Sequence, residues 1–123
     1  MMKSQNQFTD VLIIGAGMSG MAAASELSRA GLRVMVVDKG RAVGGRMASR
    51  RIGEAVFDHG AQFFTVRDPV FQQLVDQWIA DGIVREWCRG FVAEDGHPRY
   101  VVNSGMAALA KHLALDLDVR TST

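Results

Sequence analysis

The sequence predicts an α/β fold built on a parallel sheet, and three features carry that prediction. A short, wholly apolar run from Val11 to Ile14 is followed at once by glycines, then by a small-residue stretch with helical spacing, then by a second apolar run from Val34 to Val37. Continuous apolar runs of this length suit central strands buried on both faces, as parallel strands are. Strand, glycine turn, helix and strand within about 30 residues make a βαβ unit, and chain chirality makes its crossover right-handed.

The chain has 123 residues, 48% of them hydrophobic, which allows one domain with a real core. Fourteen basic against thirteen acidic residues leave a formal charge of +1. That balance creates no long-range field of the kind that recruits nucleic acid or anionic lipid, so any anion binding must be local. Cys88 has no second cysteine to pair with, and His59, His97 and His112 lack the spacing of metal ligands. No metal is expected, and a reducing, cytoplasmic setting is. Lys3 ahead of the apolar run resembles the start of a secretory signal, but the polar stretch Ser4 to Asp10 argues against one. No apolar run approaches the roughly 20 residues that span a bilayer.

The elements follow in order. Met21, Ala22 and Leu27 among small residues predict a helix from Met18 to Ala30, stopped by Gly31. Lys39 to Arg51, with three glycines and five basic residues, has no apolar period and reads as loop at least in part. Asp68-Pro69 is a helix start, and Val70, Phe71, Leu74, Val75, Trp78 and Ile79 recur at helical spacing until Gly82, an aromatic stripe that reads as a packing face. Short strands are expected at Ile83 to Trp87, Phe91 to Ala93 and Arg99 to Val102, the last two joined by a turn through Asp95, Gly96 and Pro98. Asn103 or Ser104 is placed to cap a helix from about Met106 to Ala114. Alternation from Leu115 to Thr121 predicts a half-buried strand. A chain that ends inside a strand points to a fragment, or to a sheet completed by other residues.

Gly15-Ala16-Gly17-Met18-Ser19-Gly20 follows the first apolar run directly. Gly15 permits the tight turn, Gly17 removes the side chain that would keep a pyrophosphate from the backbone, and Gly20 lets the helix pack on the strand. N–H groups at the helix start, around Met18 and Ser19, are then offered to phosphates. Asp38, at the end of the second strand, is placed to accept hydrogen bonds from an adenosine ribose, and its charge opposes a 2′-phosphate, which disfavours NADP. Lys39 and Arg41 beside it are either anion contacts or solvated loop cations. The glycine pattern alone does not separate NAD from FAD. Gly44-Gly45-Arg46 adds two side-chain-free residues and a permanent cation, suited to lie against a diphosphate whose two negative charges a helix terminus only partly offsets.

The run Asp38-Lys39-Gly40-Arg41-Ala42-Val43-Gly44-Gly45-Arg46-Met47 resembles the second FAD motif of the amine oxidase superfamily. Phe57-Asp58-His59-Gly60-Ala61-Gln62-Phe63-Phe64-Thr65 is similar to the Asp-x-Gly-Ala-Gln-aromatic segment of renalase-like flavoproteins, and Asn103-Ser104-Gly105-Met106-Ala107-Ala108-Leu109 to their later Gly-Met segment. Aspartate at position 38, where many superfamily members carry glutamate, favours the narrower family. The resemblance implies a Rossmann-like FAD-binding domain over residues 1–123, with residues 66–102 as a helix-and-strand excursion toward a substrate domain that lies beyond residue 123. It implies noncovalent FAD, with Gly15, Gly17, Met18, Ser19 and Gly20 along the pyrophosphate, Asp38 and Lys39 at the adenosine ribose, Gly45 and Arg46 at the diphosphate, and Gly60, Ala61, Gln62 and Phe63 along the flavin.

An intact family member would pass hydride from a small substrate, a dihydronicotinamide isomer or an amine, to flavin N5, with oxygen as the acceptor. No residue of this chain stands out as a catalytic acid, base or nucleophile. Two rivals share the glycine pattern: an NAD-binding dehydrogenase or regulatory domain, and a noncatalytic fragment that folds only in a larger assembly. The oligomeric state is not readable from the sequence.

Overall fold

The computed structural model describes residues 8–92 and 96–123. Along the chain come β1 (Val11–Ile14), α1 (Met18–Arg29), β2 (Val34–Val37), a 3-10 turn (Gly45–Met47), β3 (Ser49–Ile52), β4 (Ala55–Asp58), α2 (Pro69–Ala80), β5 (Val84–Cys88), β6 (Arg99–Val102), α3 (Ala107–Ala114) and β7 (Asp118–Arg120). β1, β2 and β7 form a parallel sheet in the order β1-β2-β7, with Val11 opposite Val34 and Val36 opposite Val119. Two antiparallel pairs, β3 with β4 and β5 with β6, stand apart from it.

The βαβ unit forms where the apolar runs and glycines place it. α1 ends at Ala30, and Gly31 takes the left-handed conformation (φ +89°) that lets the chain turn toward β2. Met21 and Ala24 on α1 are fully buried with Ala16 and Val36, forming one apolar cluster between helix and sheet. A second, larger cluster gathers Val75 and Trp78 of α2, Val84 of β5, Tyr100 and Val102 of β6, and Leu109 and Ala110 of α3. Val43 and Leu113 touch both clusters, so the two share one boundary. Each fully buried side chain of this size contributes about 1.5–3 kcal/mol. Asp68 caps α2 by accepting from the Val70 and Phe71 N–H groups at 2.8 and 2.9 Å, and Pro69 fills the first position, where no N–H is needed.

Several expectations are corrected. Among the described residues β1 is an edge strand, not a central one: Leu12 is 56% and Ile14 84% exposed, because it pairs with β2 on one side and α1 covers the opposite face. Lys39 to Arg51 is not all loop; after bends it contains the 3-10 turn and β3, which pairs with β4 through a two-residue loop opened by Gly53 (φ +61°). No strand forms at Phe91 and Val92, since Gly90 (φ +123°) breaks the extended run and Phe91 turns to pack edge-on against Phe63 and Trp87. β6 therefore pairs with β5, which begins one residue later than expected and carries an irregularity between Glu86 and Cys88. Ala93 and Asp95, assigned to that strand and its turn, lie outside the described residues, as do Lys3 and the start of the polar leader. β7 starts only at Asp118 because Leu115 and Leu117 continue the turn out of α3, donating to His112 and Ala114.

The cap of α3 differs most from expectation. Asn103 does not cap it; its side chain donates to the Gly82 carbonyl and accepts from Arg85. Ser104 does not either, and the first N–H groups of α3 are taken by Asp58 and Ser49, far back in the chain.

The starts of β1 and β2 are tied by an ion pair. The Arg33 guanidinium grips the Asp10 carboxylate at 2.9 and 3.1 Å, and the Arg33 N–H donates to it at 2.8 Å. The guanidinium hydrogen bond, more than any other contact, lowers the Asp10 carboxyl to about 2. A lowered native value means that the charged form stabilises the fold above the ordinary value near 3.9, and that this contribution is lost as pH falls through about 2. Thermal unfolding of the wild type and Asp10→Asn between pH 5 and 2 should therefore show a stability difference that is constant above about pH 4 and shrinks toward the acid end.

Candidate functional site

β1 runs straight into the first glycine turn. The Gly15 N–H donates to the Val37 carbonyl at 2.7 Å, and Gly15 adopts φ +110°, a conformation that favours glycine. A Cβ on Gly20 would collide with the Gly15 carbonyl oxygen and crowd Ile13, so only glycine allows α1 to start this close to the strand it leaves. Gly17 is the contrasting case: a Cβ there would meet nothing within 4 Å, so the space over the turn is open. Gly17 is also the N-cap of α1, and no side chain caps the helix. The first-turn N–H groups, at Met18, Ser19 and Gly20, have no acceptor within the helix by geometry alone. An open, uncapped helix start is a cradle for an anion.

Asp38 is directed into this turn. Its Oδ2 accepts from the Ala16 N–H at 2.7 Å and its Oδ1 from the Gly40 N–H at 2.6 Å. These two backbone donors, Ala16 first, hold the carboxyl below its ordinary value, with a smaller assist from the Lys39 charge and against a small cost of burial. Each carboxylate oxygen accepts two hydrogen bonds, so each keeps one position for another donor such as a sugar hydroxyl. Lys39 is exposed and adds charge beside the site.

The second glycine segment packs against the first. The Gly44 N–H donates to the Ala16 carbonyl at 2.8 Å, and a Cβ on Gly45 would sit 3.4 Å from the Gly17 Cα. Ala16 thus serves both sides, its N–H holding Asp38 and its carbonyl holding Gly44. Arg46 follows at once; it is exposed and has no ion pair or side-chain hydrogen bond with the described residues. A permanent cation without a counter-ion among the described residues, one residue from a backbone that touches the open turn, suits an anion.

The third segment is joined to the second by the backbone. The Ala61 N–H donates to the Arg46 carbonyl at 2.9 Å, and a Cβ on Gly60 would collide with that same carbonyl. Gln62 is exposed. Phe63 packs against Phe91 and Trp87, with ring centroids 5.6 and 6.1 Å apart, and the Arg99 guanidinium lies 6.0 Å from its ring. Met18, Ala61 and Phe63 meet Met47, Phe64 and Met106 around an apolar cavity of about 180 Å³. Met18 is half-buried there, which leaves its N–H rather than its side chain to face an anion. Asp38 and Lys39 do not line this cavity, so the polar and apolar candidates form two regions joined through the Gly44–Arg46 turn.

Sequence reasoning missed the Ala16 hub and Ser49. Ala16 offers only main-chain groups, so its side chain gives no signal; Ser49 would have been legible from the Gly53 hairpin, whose register sets it opposite Asp58. Among the described residues no group of three or more His, Cys, Asp or Glu is placed to hold a metal, and Cys88 is a free, half-buried thiol.

Residues 13–78 match the family described as NAD(P)-binding Rossmann-like domain. The chain belongs to this family. Its βαβ unit, uncapped helix start and strand-end acid are the parts of a Rossmann-like domain that face a dinucleotide. The Rossmann-like domain is 32% identical over 99 residues to protoporphyrinogen oxidase 2 of Arabidopsis thaliana, covering 80% of this chain and 18% of that protein. A probable flavin-containing monoamine oxidase A of Dictyostelium discoideum is 35% identical over 68 residues, 55% of this chain and 15% of that protein. Among solved structures, putrescine oxidase superposes with a TM-score of 0.51 and 38% identity over 63% of this chain and 17% of that one. The chain therefore spans less than a fifth of the length of these relatives.

Two outcomes follow from the geometry. Gly20→Ala, whose methyl has no room beside the Gly15 carbonyl, should lower stability by about 1–3 kcal/mol in chemical denaturation, whereas Gly17→Ala, with open space, should leave it within about 0.5–1 kcal/mol. Because the Asp38 value is lowered, its stabilisation is complete above about pH 4 and is lost as pH falls through its native value; a carboxylate NMR titration that places Asp38 at or above the ordinary value would contradict this.

Proposed function

We propose that the chain is the FAD-holding portion of a flavoprotein oxidoreductase of the amine oxidase superfamily, with renalase-like proteins as the narrower affiliation. The observation that carries this reading is the Ala16 hub: it seats Gly44 and Gly45 on an uncapped, open helix start and leaves Arg46 beside it without a counter-ion among the described residues. The helix start and Asp38 suit the ADP half that NAD and FAD share; the added glycine pair and cation suit the charge of the diphosphate, and their likeness to the second FAD motif favours FAD. Sequence similarity to named oxidases, one of them described as flavin-containing, supports the same reading.

In this arrangement the N–H groups of Met18, Ser19 and Gly20 bind the pyrophosphate, with Gly15 and Gly17 letting it approach the backbone. Asp38 orients the adenosine ribose, with Lys39 nearby, and Gly45 and Arg46 hold the diphosphate. Gly60 lets this segment lie on the Arg46 carbonyl, Ala61 leaves room for a flat ring, and Gln62 and Phe63 border it. FAD when bound supplies the ring that accepts hydride; the chain's part is to hold and orient that ring and to exclude water from one side through the apolar cavity wall. The substrate in this reading is a small molecule, a dihydronicotinamide isomer or an amine, and oxygen is the acceptor. Cytoplasmic residence belongs to the same proposal and rests on the single cysteine; among the described residues no helix is long and apolar enough to cross a membrane.

The description of the matched family favours one alternative, an NAD(P) site. The two separate in a titration of the purified protein with FAD, FMN, NAD and NADP. FAD should bind saturably with a change in flavin fluorescence, FMN, which lacks the AMP half, more weakly, and NADP least of all because of Asp38. Arg46→Ala should weaken FAD roughly ten- to hundredfold, the loss of one hydrogen bond to a charged group. Saturation by NAD without FAD binding would establish the alternative, and binding of neither would end both.

A further inference from the structure

Asp58 and Ser49 close the open end of the β3–β4 hairpin, facing each other as its first residue pair. The Ser49 hydroxyl donates to Asp58 Oδ1 at 2.6 Å, and the same oxygen accepts the Met106 N–H at 2.8 Å. The Ala107 N–H donates to Ser49 Oγ at 3.1 Å. A carboxylate at a helix start is favoured by the exposed N–H groups and the helix dipole, so the pair is both a cap for α3 and an anchor for the hairpin. The approach is close enough to exclude a side chain at Gly105: its Cβ would lie 2.8 Å from Val56 Cγ1 and 3.1 Å from Ser49 Oγ.

Both strands of the hairpin lead from this anchor into the candidate site. Three residues before Ser49 is Arg46, and three residues after Asp58 is Ala61, and these two are themselves joined by the Ala61 N–H donating to the Arg46 carbonyl at 2.9 Å. The result is a closed loop of contacts in which neither Arg46 nor Gly60–Phe63 can shift without straining the other or pulling on α3. Resting on the reading of the site given above, we propose that Asp58 and Ser49 are positioning residues: by fastening both exits of the hairpin to α3, they fix the diphosphate-side cation and the flavin-side segment at one mutual distance. Neither residue touches the cofactor in this proposal. They act through the backbone of Arg46 and Ala61, as outer-shell partners do for a ligand set.

The test compares Asp58→Ala, Ser49→Ala and Asp58→Asn with Val75→Ala, a fully buried position of α2 outside the anchor. FAD affinity is read by flavin fluorescence, the bound ring by visible circular dichroism, and the Ala61 amide by hydrogen exchange without cofactor. Asp58→Ala should weaken FAD about ten- to hundredfold, alter the dichroism of the bound flavin and speed Ala61 exchange. Ser49→Ala should do the same to a smaller degree, and Asp58→Asn, which keeps the accepting oxygen, should restore most of the affinity. Val75→Ala should lower the melting temperature without any of these changes. If Asp58→Ala does not fold, Ser49→Ala carries the comparison. Affinity, dichroism and exchange that move no more than in Val75→Ala overturn the proposal while the site reading stands; a wild-type protein that takes up no FAD overturns the site reading, and this inference with it.

Discussion

Everything at the candidate site depends on two glycine turns joined backbone to backbone. The turn out of β1 and the turn that precedes Arg46 meet at Ala16 and Gly17, held by the Gly44 N–H on the Ala16 carbonyl, with a Cβ at Gly45 coming into contact with the Gly17 Cα at 3.4 Å. What glycine supplies on the second turn is its conformation, with φ +119° at Gly44 and +54° at Gly45. The first turn must also let α1 start directly against β1, which Gly20 permits by leaving space for the Gly15 carbonyl. The glycines are thus not flexible linkers: Gly20 removes a clash, Gly15, Gly44 and Gly45 supply left-handed turns, and Gly17 leaves the space over the helix start open, so that together they shape one N–H-rich concavity.

Those features whose causes are local were legible in the sequence. The bounds of β1, α1 and β2, the start of α2 at Asp68-Pro69 and the stop at Gly31 each follow from a few adjacent residues. Features whose causes are distant were not. β3 reads Ser-Arg-Arg-Ile and is largely exposed, so it has neither the alternation nor the apolar run that marks a strand; only Gly53 at the loop hints at the hairpin. α3 has Asn103 and Ser104 at plausible capping positions, yet its N–H groups go to Asp58 and Ser49, because Gly105 (φ +92°) turns the chain so that the hairpin, not the preceding residues, faces the helix start.

β1 shows a different limit. An apolar run reports that burial is favourable, not what provides it. In β1 the residues facing α1 are covered, while Leu12 and Ile14 point to a face that the described residues leave open. Phe91 makes a related point: its β propensity suits a strand, but Gly90 breaks the chain there and the ring finds Phe63, Trp87 and the Arg99 guanidinium instead, 4.6 Å away in the last case. Local propensity yields to the nearest aromatic partners when a glycine offers the turn.

The charge at the site also explains why a nearly neutral chain can be read as an anion binder. The helix start supplies about half a positive charge and Arg46 a whole one, against a diphosphate with about two negative charges. Asp38 would worsen this deficit if its charge were free. It is not free, because the Ala16 and Gly40 N–H groups each donate to one of its oxygens and hold the carboxyl ionised. The acid is thereby kept as an acceptor for hydroxyl groups while its field toward the pyrophosphate is partly cancelled by the dipoles that bind it. The carboxylate stays charged, and a 2′-phosphate brought beside it would be repelled. In the proposed site, discrimination between a ribose hydroxyl and a ribose phosphate would rest on the carboxylate that these two hydrogen bonds lock to the turn, and not on the net charge of the chain.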